Sequence, residues 1–166
     1  MYPTINDFIT DWKFESEATL KLLKALNDES LSQKVTPEGR SLGYLAWHIV
    51  LTLGEMGGRT GMKVNAPAEK AKTPSHAAEI ASAYEKAAKS ITEDLKKGFA
   101  DASLKEEVDM YGEKWTRGQA LSALVKHEIH HRAQMTVLMR QAGILVPGVY
   151  GPSKEEWAKL GMPPME

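Results

Sequence analysis

The sequence predicts an all-α protein, a four-helix bundle that forms a single domain over residues 1–166. Apolar residues recur at steps of three and four along four segments, which is the period of an amphipathic helix. Polar stretches that contain glycine and proline separate these segments. A chain of 166 residues fits one domain by size, and four such helices with loops between them favour a bundle.

The first predicted helix runs from Thr4 to about Asn27, with Thr4 or Asn6 as its N-cap. A polar loop follows at 28–40, and the second predicted helix runs from Ser41 to about Met56. The inward face of the first helix is formed by Ile5, Phe8, Ile9, Trp12, Thr19, Leu22, Leu23 and Leu26, and that of the second by Leu42, Leu45, Ile49, Leu53 and Met56.

Residues 57–74 hold three glycines and two prolines and break the helical pattern. Such a long connection is typical of a crossover, and it leaves both an up-down-down-up and an up-down-up-down arrangement open. The third predicted helix follows Pro74 with Ser75 as its cap and stops near Gly98. Residues 99–115 are read as a long loop or a small hairpin that turns at Tyr111-Gly112.

The fourth helix has the clearest boundaries. Thr116 followed by Gln119 is a capping box, and the helix is expected to reach Gln141 or Ala142, with Gly143 just beyond its end. The tail ILVPGVYGP is irregular. In it, Ser153 is a candidate cap for a last short helix, KEEWAKL.

Composition excludes several classes of function. The chain has no cysteine, so it has no disulfides, thiolate ligands or cysteine nucleophile, and a thiol in its chemistry must come from a small molecule. Its 21 basic and 22 acidic residues are interspersed, which argues against a nucleic-acid partner. No apolar run is long enough to span a membrane, and the first residues do not resemble a signal peptide. We therefore expect a cytoplasmic protein.

His127 and His131 in KHEIHHRAQ are four residues apart, so they lie on one face of the fourth helix. Leu124, Met135 and Leu138 share that face, which therefore points into the bundle. Buried imidazoles without partners cost free energy, and a metal ion would satisfy both rings. The alternative is that the two histidines are ordinary polar residues hydrogen-bonded to their neighbours.

His48 favours the interpretation as a metal site, because it lies among apolar residues of the second helix, in GYLAWHIVLT, and would supply a third ligand. By itself it would be a satisfied core or edge histidine. Three neutral imidazoles with one open position suit Zn²⁺, Ni²⁺ or Fe²⁺ and are typical of catalytic rather than structural zinc. Such an ion lowers the pKa of a water or thiol that it binds.

Other polar residues lie near this motif or could line a pocket. His130 is expected to be a surface residue or a partner of a ligand, and His76 an exposed residue without function. The string H-E-x-x-H also occurs in zinc proteases, where Glu128 would be a general base. The alternative is that Glu128 lies on the side of its helix and pairs with Arg132. The further candidates for lining a pocket are Tyr44, Glu55, Tyr111 and Tyr150.

Two segments carry a family resemblance: LGYLAWHIV, and HEIHHRAQMTVLMRQAGILVPGVYGP, which follows Trp115–Gln119 and ends with Pro147–Pro152. They resemble the DinB/YfiT-like superfamily of metal-dependent proteins. The resemblance covers nearly the whole chain. It implies that His48, His127 and His131 are metal ligands. Ala133 stands where the family often has glycine, a departure that does not touch the ligands.

The resemblance further implies an up-down-down-up bundle, a homodimer, and bound zinc or nickel. Some relatives are mycothiol-dependent isomerases or bacillithiol transferases, which use a low-molecular-weight thiol as cofactor. The function expected is therefore a metal-dependent enzyme, a thiol transferase or a hydrolase, that activates a small-molecule thiol or water. The alternatives are a non-catalytic metal-binding stress-response or dimeric interaction protein, and a bundle without metal.

Overall fold

The computed structural model describes residues 2–163. It contains four helices and one two-stranded sheet, which confirms the predicted all-α class: α1 (Ile5–Lys24), α2 (Leu42–Arg59), α3 (Ala77–Gly98), β1 (Glu107–Met110), β2 (Glu113–Thr116) and α4 (Arg117–Gln141). Short 3₁₀ turns lie at Glu29–Ser32, Asp101–Lys105 and Trp157–Leu160. Within the described residues, no helix is both long and apolar enough to cross a membrane.

Hydrogen bonds between helix ends fix the direction of each helix. Asp28, just after α1, accepts a bond of 2.8 Å from the backbone N–H of Ala77, so the end of α1 and the start of α3 lie together. At the opposite end, Arg117 of α4 donates to the carbonyls of Thr60, after α2, and Ser103, after α3, both at 2.8 Å. The helices therefore run up, down, down and up, the arrangement that the resemblance implies.

The connection between α2 and α3 is a crossover that returns along the length of the bundle. The backbone N–H groups of Lys63 and Asn65 donate to Asp94 and Ser90 of α3, at 2.9 and 2.8 Å. Further along the connection, the carbonyl of Ala71 accepts a bond of 2.8 Å from the indole of Trp47 on α2. These bonds explain how a segment without regular structure is held against two parallel helices.

The predicted caps of α1 and α4 are confirmed, and the predicted cap of α3 is wrong. Thr4 and Thr116 form capping boxes at α1 and α4. Ser75 does not cap α3, because His76 occupies the N-cap position and gives no side-chain cap bond. The carboxylate of Asp28 binds the free N–H group of Ala77 instead, which satisfies one of the unpaired donors of that helix end.

The segment before α4 folds into the small hairpin that the sequence left as an alternative to a loop. Tyr111 and Gly112 both have positive φ, 61° and 87°, as a two-residue type I′ turn requires. Gly143 has φ 74° and ends α4 as predicted. The last helix is shorter than predicted: only the 3₁₀ turn Trp157–Leu160 forms, and Ser153 does not cap it.

The core lies between the four helices and contains the predicted apolar faces. Large, fully buried side chains come from all four helices and from the hairpin: Trp12, Tyr84, Phe8, Leu22, Leu23, Leu42, Ile49, Leu53, Ile80, Ile91, Leu95 and Met110, with Leu121, Leu124, Met135 and Met139 of α4. Helix α4 also brings three buried polar residues to the interior, Glu128, His131 and Arg132. Because buried polar groups need partners, a polar site is expected around the middle of α4.

Candidate metal site

The predicted histidines come together between α2 and α4. These helices are antiparallel, so the middle of α2 faces the middle of α4, and His48 lies beside His127 and His131. The ring centroids are 5.0 Å apart for His48 and His127, 4.7 Å for His48 and His131, and 4.4 Å for His127 and His131. One nitrogen of each ring lies within 4.8 Å of the other two. His131 is buried, and the other two are half-buried.

The spacing of the ring nitrogens fits a metal ion. The Nε2 atoms of His48 and His127 are 3.2 Å apart. Two nitrogens that each lie about 2.1 Å from a tetrahedral zinc ion are about 3.4 Å apart. The three imidazoles form the described group of potential ligands, and no carboxylate belongs to it. A set of three nitrogen donors suits zinc, nickel or ferrous iron better than calcium or magnesium, which prefer oxygen.

The surroundings keep all three rings neutral, as metal ligation requires. Burial is the main cause for each, because a charged ring loses its hydration. Burial, followed by the neighbouring His131 and His48, lowers the pKa of His127 from 6.5 to about 4. Burial also lowers the pKa values of His48 and His131. The cluster is thus a group of three free bases at neutral pH.

Gln134 sets the orientation of one ring, a role that the sequence interpretation missed. Its side-chain carbonyl lies 2.8 Å from Nδ1 of His131, so Nδ1–H donates and Nε2 is left with its lone pair free. Ligating histidines commonly donate their second nitrogen to such an acceptor. Gln134 follows His131 by three residues on the same helix face, and that spacing was the signal that could have identified it.

The two remaining histidines lie outside the ligand group. His130 is exposed, its ring centroid is 4.9 Å from that of His131, and its Nε2 accepts a bond of 3.1 Å from the amide of Gln134. It therefore contacts a candidate ligand, as expected. His76 is exposed at the start of α3 and pairs with Asp28 at 2.8 Å, where it supports the helix cap.

Glu128 faces away from the histidines, so its position does not support the role of general base that the H-E-x-x-H string suggested. It is buried, and its Oε1 accepts hydrogen bonds from Thr19 of α1 at 2.7 Å and Tyr84 of α3 at 2.8 Å. Burial raises the pKa of Glu128 to about 7. The expected surface pair with Arg132 is wrong, because Arg132 binds a different carboxylate.

That carboxylate belongs to Glu15 of α1, a second residue that the sequence interpretation missed. Arg132 donates to Oε2 of Glu15 at 2.6 Å and to the hydroxyl of Tyr150 at 2.6 Å. The same hydroxyl donates to Glu15 at 2.9 Å. Glu15 stands on the apolar face of α1 between Trp12 and Thr19, and an acidic residue in that position was the available signal. The cluster ties the tail to α1 and α4.

Of the four candidates for a pocket, Tyr44 alone lies at the histidines. Its ring is stacked on that of His48, with centroids 6.1 Å apart and planes inclined by 10°. Tyr44 and His48 line a small cleft of about 190 Å³ together with Lys72 of the crossover. Tyr111 lies at the hairpin turn under Arg59, and Tyr150 belongs to the Glu15 cluster.

Comparison with known proteins gives a consistent result. The chain matches the model of the DinB family over residues 1–165. It is 44% identical over 162 residues to the uncharacterized protein YrdA of Bacillus subtilis (strain 168), and the match covers 98% of this chain and 97% of that protein.

Solved structures agree with this match. A crystal structure of a DinB-like protein from Bacillus cereus ATCC 10987 superimposes with a TM-score of 0.87 at 41% identity, over 90% of this chain and 100% of that one. A DinB-like protein from Bacillus subtilis shares the fold, with a TM-score of 0.65 at 20% identity over 82% of this chain and 91% of the other. The chain therefore belongs to the DinB family.

Proposed function

We propose that this protein binds one divalent transition metal, zinc or nickel, through His48, His127 and His131, and that it is a metal-dependent enzyme acting on a small molecule. The observation that carries the proposal is the convergence of three neutral imidazole nitrogens within 4.8 Å on two facing helices. Three protein ligands leave a fourth position open, as in catalytic rather than structural zinc sites.

When bound, the metal would supply Lewis acidity, which makes a water or a small-molecule thiol nucleophilic near neutral pH. The chain supplies the rest. Gln134 holds the ring of His131 by the bond to Nδ1, and burial, followed by the neighbouring histidines, lowers the pKa values of His48 and His127 and so favours their neutral form. Tyr44 covers one side of His48. The absence of cysteine from the chain means that a thiol would come from a low-molecular-weight cofactor.

The second candidate is a non-catalytic metal-binding module, with a role in a stress response or in a dimeric interaction. It is favoured by the small volume of the cleft beside His48, about 190 Å³, which is below the usual range for ligand pockets of roughly 300–1,000 Å³. Turnover separates the two candidates. Hydrolysis of activated esters, or conjugation of small thiols to electrophiles, should depend on added metal only if the protein is an enzyme. The homodimer implied by the resemblance stays a prediction.

The metal content of the purified protein tests the site itself. We expect about one ion per chain in the wild type, since one group of three ligands is present, and a loss of stoichiometric binding in His48→Ala. His76→Ala is the matched control, because it removes an exposed histidine at the start of α3. Unchanged metal content in His48→Ala would overturn the three-histidine site. Loss of metal in His76→Ala as well would point to adventitious surface binding.

A further inference from the structure

A row of three aromatic and cationic side chains leads from solvent to the histidines. Arg40, Tyr44 and His48 follow one another at intervals of four residues along α2 and its first flanking turn. The guanidinium carbon of Arg40 lies 5.1 Å from the centroid of the Tyr44 ring, within the range of a cation–π interaction. Tyr44 in turn stacks on His48. The tyrosine therefore holds the guanidinium at the rim of the candidate metal site.

The charge of Arg40 has no partner among the described residues. Within residues 2–163, the guanidinium makes no hydrogen bond and no ion pair, and it lies over the ring of Tyr44 instead. Arg59, at the other end of α2, differs: it also lies over a tyrosine, Tyr111, but pairs with Asp109 at 3.6 Å. The five N–H donors of Arg40 are thus available to a ligand.

A second cation without a partner among the described residues lines the cleft beside His48. Lys72 of the crossover lines it together with Tyr44 and His48, and no acidic side chain belongs to its lining. In the described part of the chain, Lys72 makes no hydrogen bond or ion pair of its own. Two free cations beside a site for a divalent ion form a setting that attracts anions.

We propose that Arg40, assisted by Lys72, makes the site selective for small molecules that carry an anionic group, a carboxylate or a phosphate, next to the atom that approaches the metal. The planar fork of arginine matches both groups with two parallel hydrogen bonds. This inference deepens the proposed function and rests on it, since the metal anchors the other end of the ligand. Arg40 is a binding residue for the substrate and takes no part in ligating the metal.

Two thiol probes of nearly equal size test the proposal on cobalt-loaded protein. The probes are 3-mercaptopropionate, which carries a carboxylate, and 3-mercapto-1-propanol, which is neutral. The sulfur-to-cobalt absorption band reports the dissociation constant of each, and equilibrium dialysis checks that cobalt stays bound. In Arg40→Gln we expect affinity for the acid to fall by about fivefold, the upper range for an exposed charge pair, with affinity for the alcohol unchanged. Lys72→Gln should show a smaller loss of the same kind.

Arg59→Gln is the matched control, because it removes an arginine at the other end of α2 that also lies over a tyrosine, Tyr111 of the hairpin turn. It should leave both affinities as they are. Equal changes for the two probes in Arg40→Gln, or no change for either, would overturn the anion selectivity while cobalt binding stands. Failure of the wild type to bind cobalt would overturn the proposed metal site and this inference together. Raising the salt concentration should shrink the wild-type preference.

Discussion

Helix α4 carries two polar clusters on adjacent faces, and they differ in almost every physical property. Toward α2 it presents His127 and His131, neutral bases that have few hydrogen-bond partners within the protein. Toward α1 it presents Arg132, whose nitrogens donate to Glu15, Thr19 and Tyr150 at 2.6 to 3.2 Å. Although His131 and Arg132 are consecutive in the sequence, they belong to different clusters.

The contrast separates a cluster that holds the fold from one that is suited to a ligand. The Arg132 cluster contains opposite charges, and the protein itself meets most of its hydrogen-bonding capacity. The histidine cluster contains no counter-charge, and the Nε2 atoms of His48 and His127, 3.2 Å apart, can satisfy each other only when one of the two rings carries its proton on Nε2. Because unsatisfied buried groups are costly, the second cluster is the one in which a bound ion would lower the free energy of the protein.

Arg132→Ala should give the largest effect of the predictions that test this contrast. Removal of one partner from a buried ion pair leaves the other charge buried and unpaired, which typically costs about 3–5 kcal/mol. Both side chains are almost inaccessible, at 3% and 6% exposure for Arg132 and Glu15. We expect the free energy of unfolding of metal-free protein, measured by urea denaturation, to fall by that amount.

His131→Ala, one residue away, is the matched control. It removes a neutral ring whose one conventional bond is to Gln134, so its loss of stability in metal-free protein should be clearly smaller. Replacement of Glu15 and Arg132 together by methionine should recover much of the lost stability, since no isolated charge is then left. Similar losses in Arg132→Ala and His131→Ala would contradict the assignment of separate roles.

Local patterns in the sequence predict the histidine cluster but not the Arg132 cluster. His127 and His131 could be identified because their spacing of four places them on one face of a helix, and His48 because it interrupts an apolar run. The pairing of Glu15 with Arg132 joins residues 117 positions apart, and nothing local in either segment specifies the partner. The cap of α3 shows the same limit: Ser75 was the local candidate, but Asp28 arrives from another loop and takes that role.

Periodicity along the chain narrows the topology without determining it. The length of the connection at 57–74 indicated a crossover but left its direction open. The direction depends on bonds such as those from Lys63 and Asn65 to α3, which form only when the connection lies along that helix. The resemblance to known proteins supplied the arrangement that periodicity left open.

Glu128→Gln should alter the pH dependence of stability, the next largest effect. Burial raises the pKa of Glu128 from 4.5 to about 7. Below pH 4.5 the carboxyl is protonated in folded and unfolded chains alike. As the pH rises to about 7, the unfolded chain loses this proton while the folded chain keeps it, so stability falls. Glutamine does not titrate, so the advantage of the variant over the wild type should grow by about 3 kcal/mol over this interval.

The measurement is urea denaturation of both proteins without metal from about pH 4 to about pH 9. The difference between them should rise between pH 4.5 and about 7 and level off above, where both states of the wild type are ionised. Glu17→Gln is the control, since Glu17 is an exposed residue of α1 that does not contact the Thr19 and Tyr84 hydroxyls. A flat difference for Glu128→Gln would show that the carboxyl is ionised or absent from the buried network.

Gln134→Ala should give the smallest change in free energy of these variants. The change should be confined to the affinity for metal. The side-chain carbonyl of Gln134 fixes the ring of His131 through a bond of 2.8 Å to Nδ1, and loss of such a support typically weakens metal binding by about 10–100-fold. Because Gln134 is exposed, stability without metal should hardly change. Competition with a chelator of known affinity measures the effect.

Two further variants separate orientation of the ring from a general effect at this position. Gln134→Glu keeps an oxygen acceptor for the Nδ1–H group, so it should retain most of the affinity for metal. Gln141→Ala, an exposed glutamine at the end of α4, should retain all of it. If Gln134→Ala bound metal as tightly as the wild type, the helix alone would hold His131 in place. The orientation of His131 would then depend on packing, whereas that of Arg132 depends on its hydrogen-bond partners.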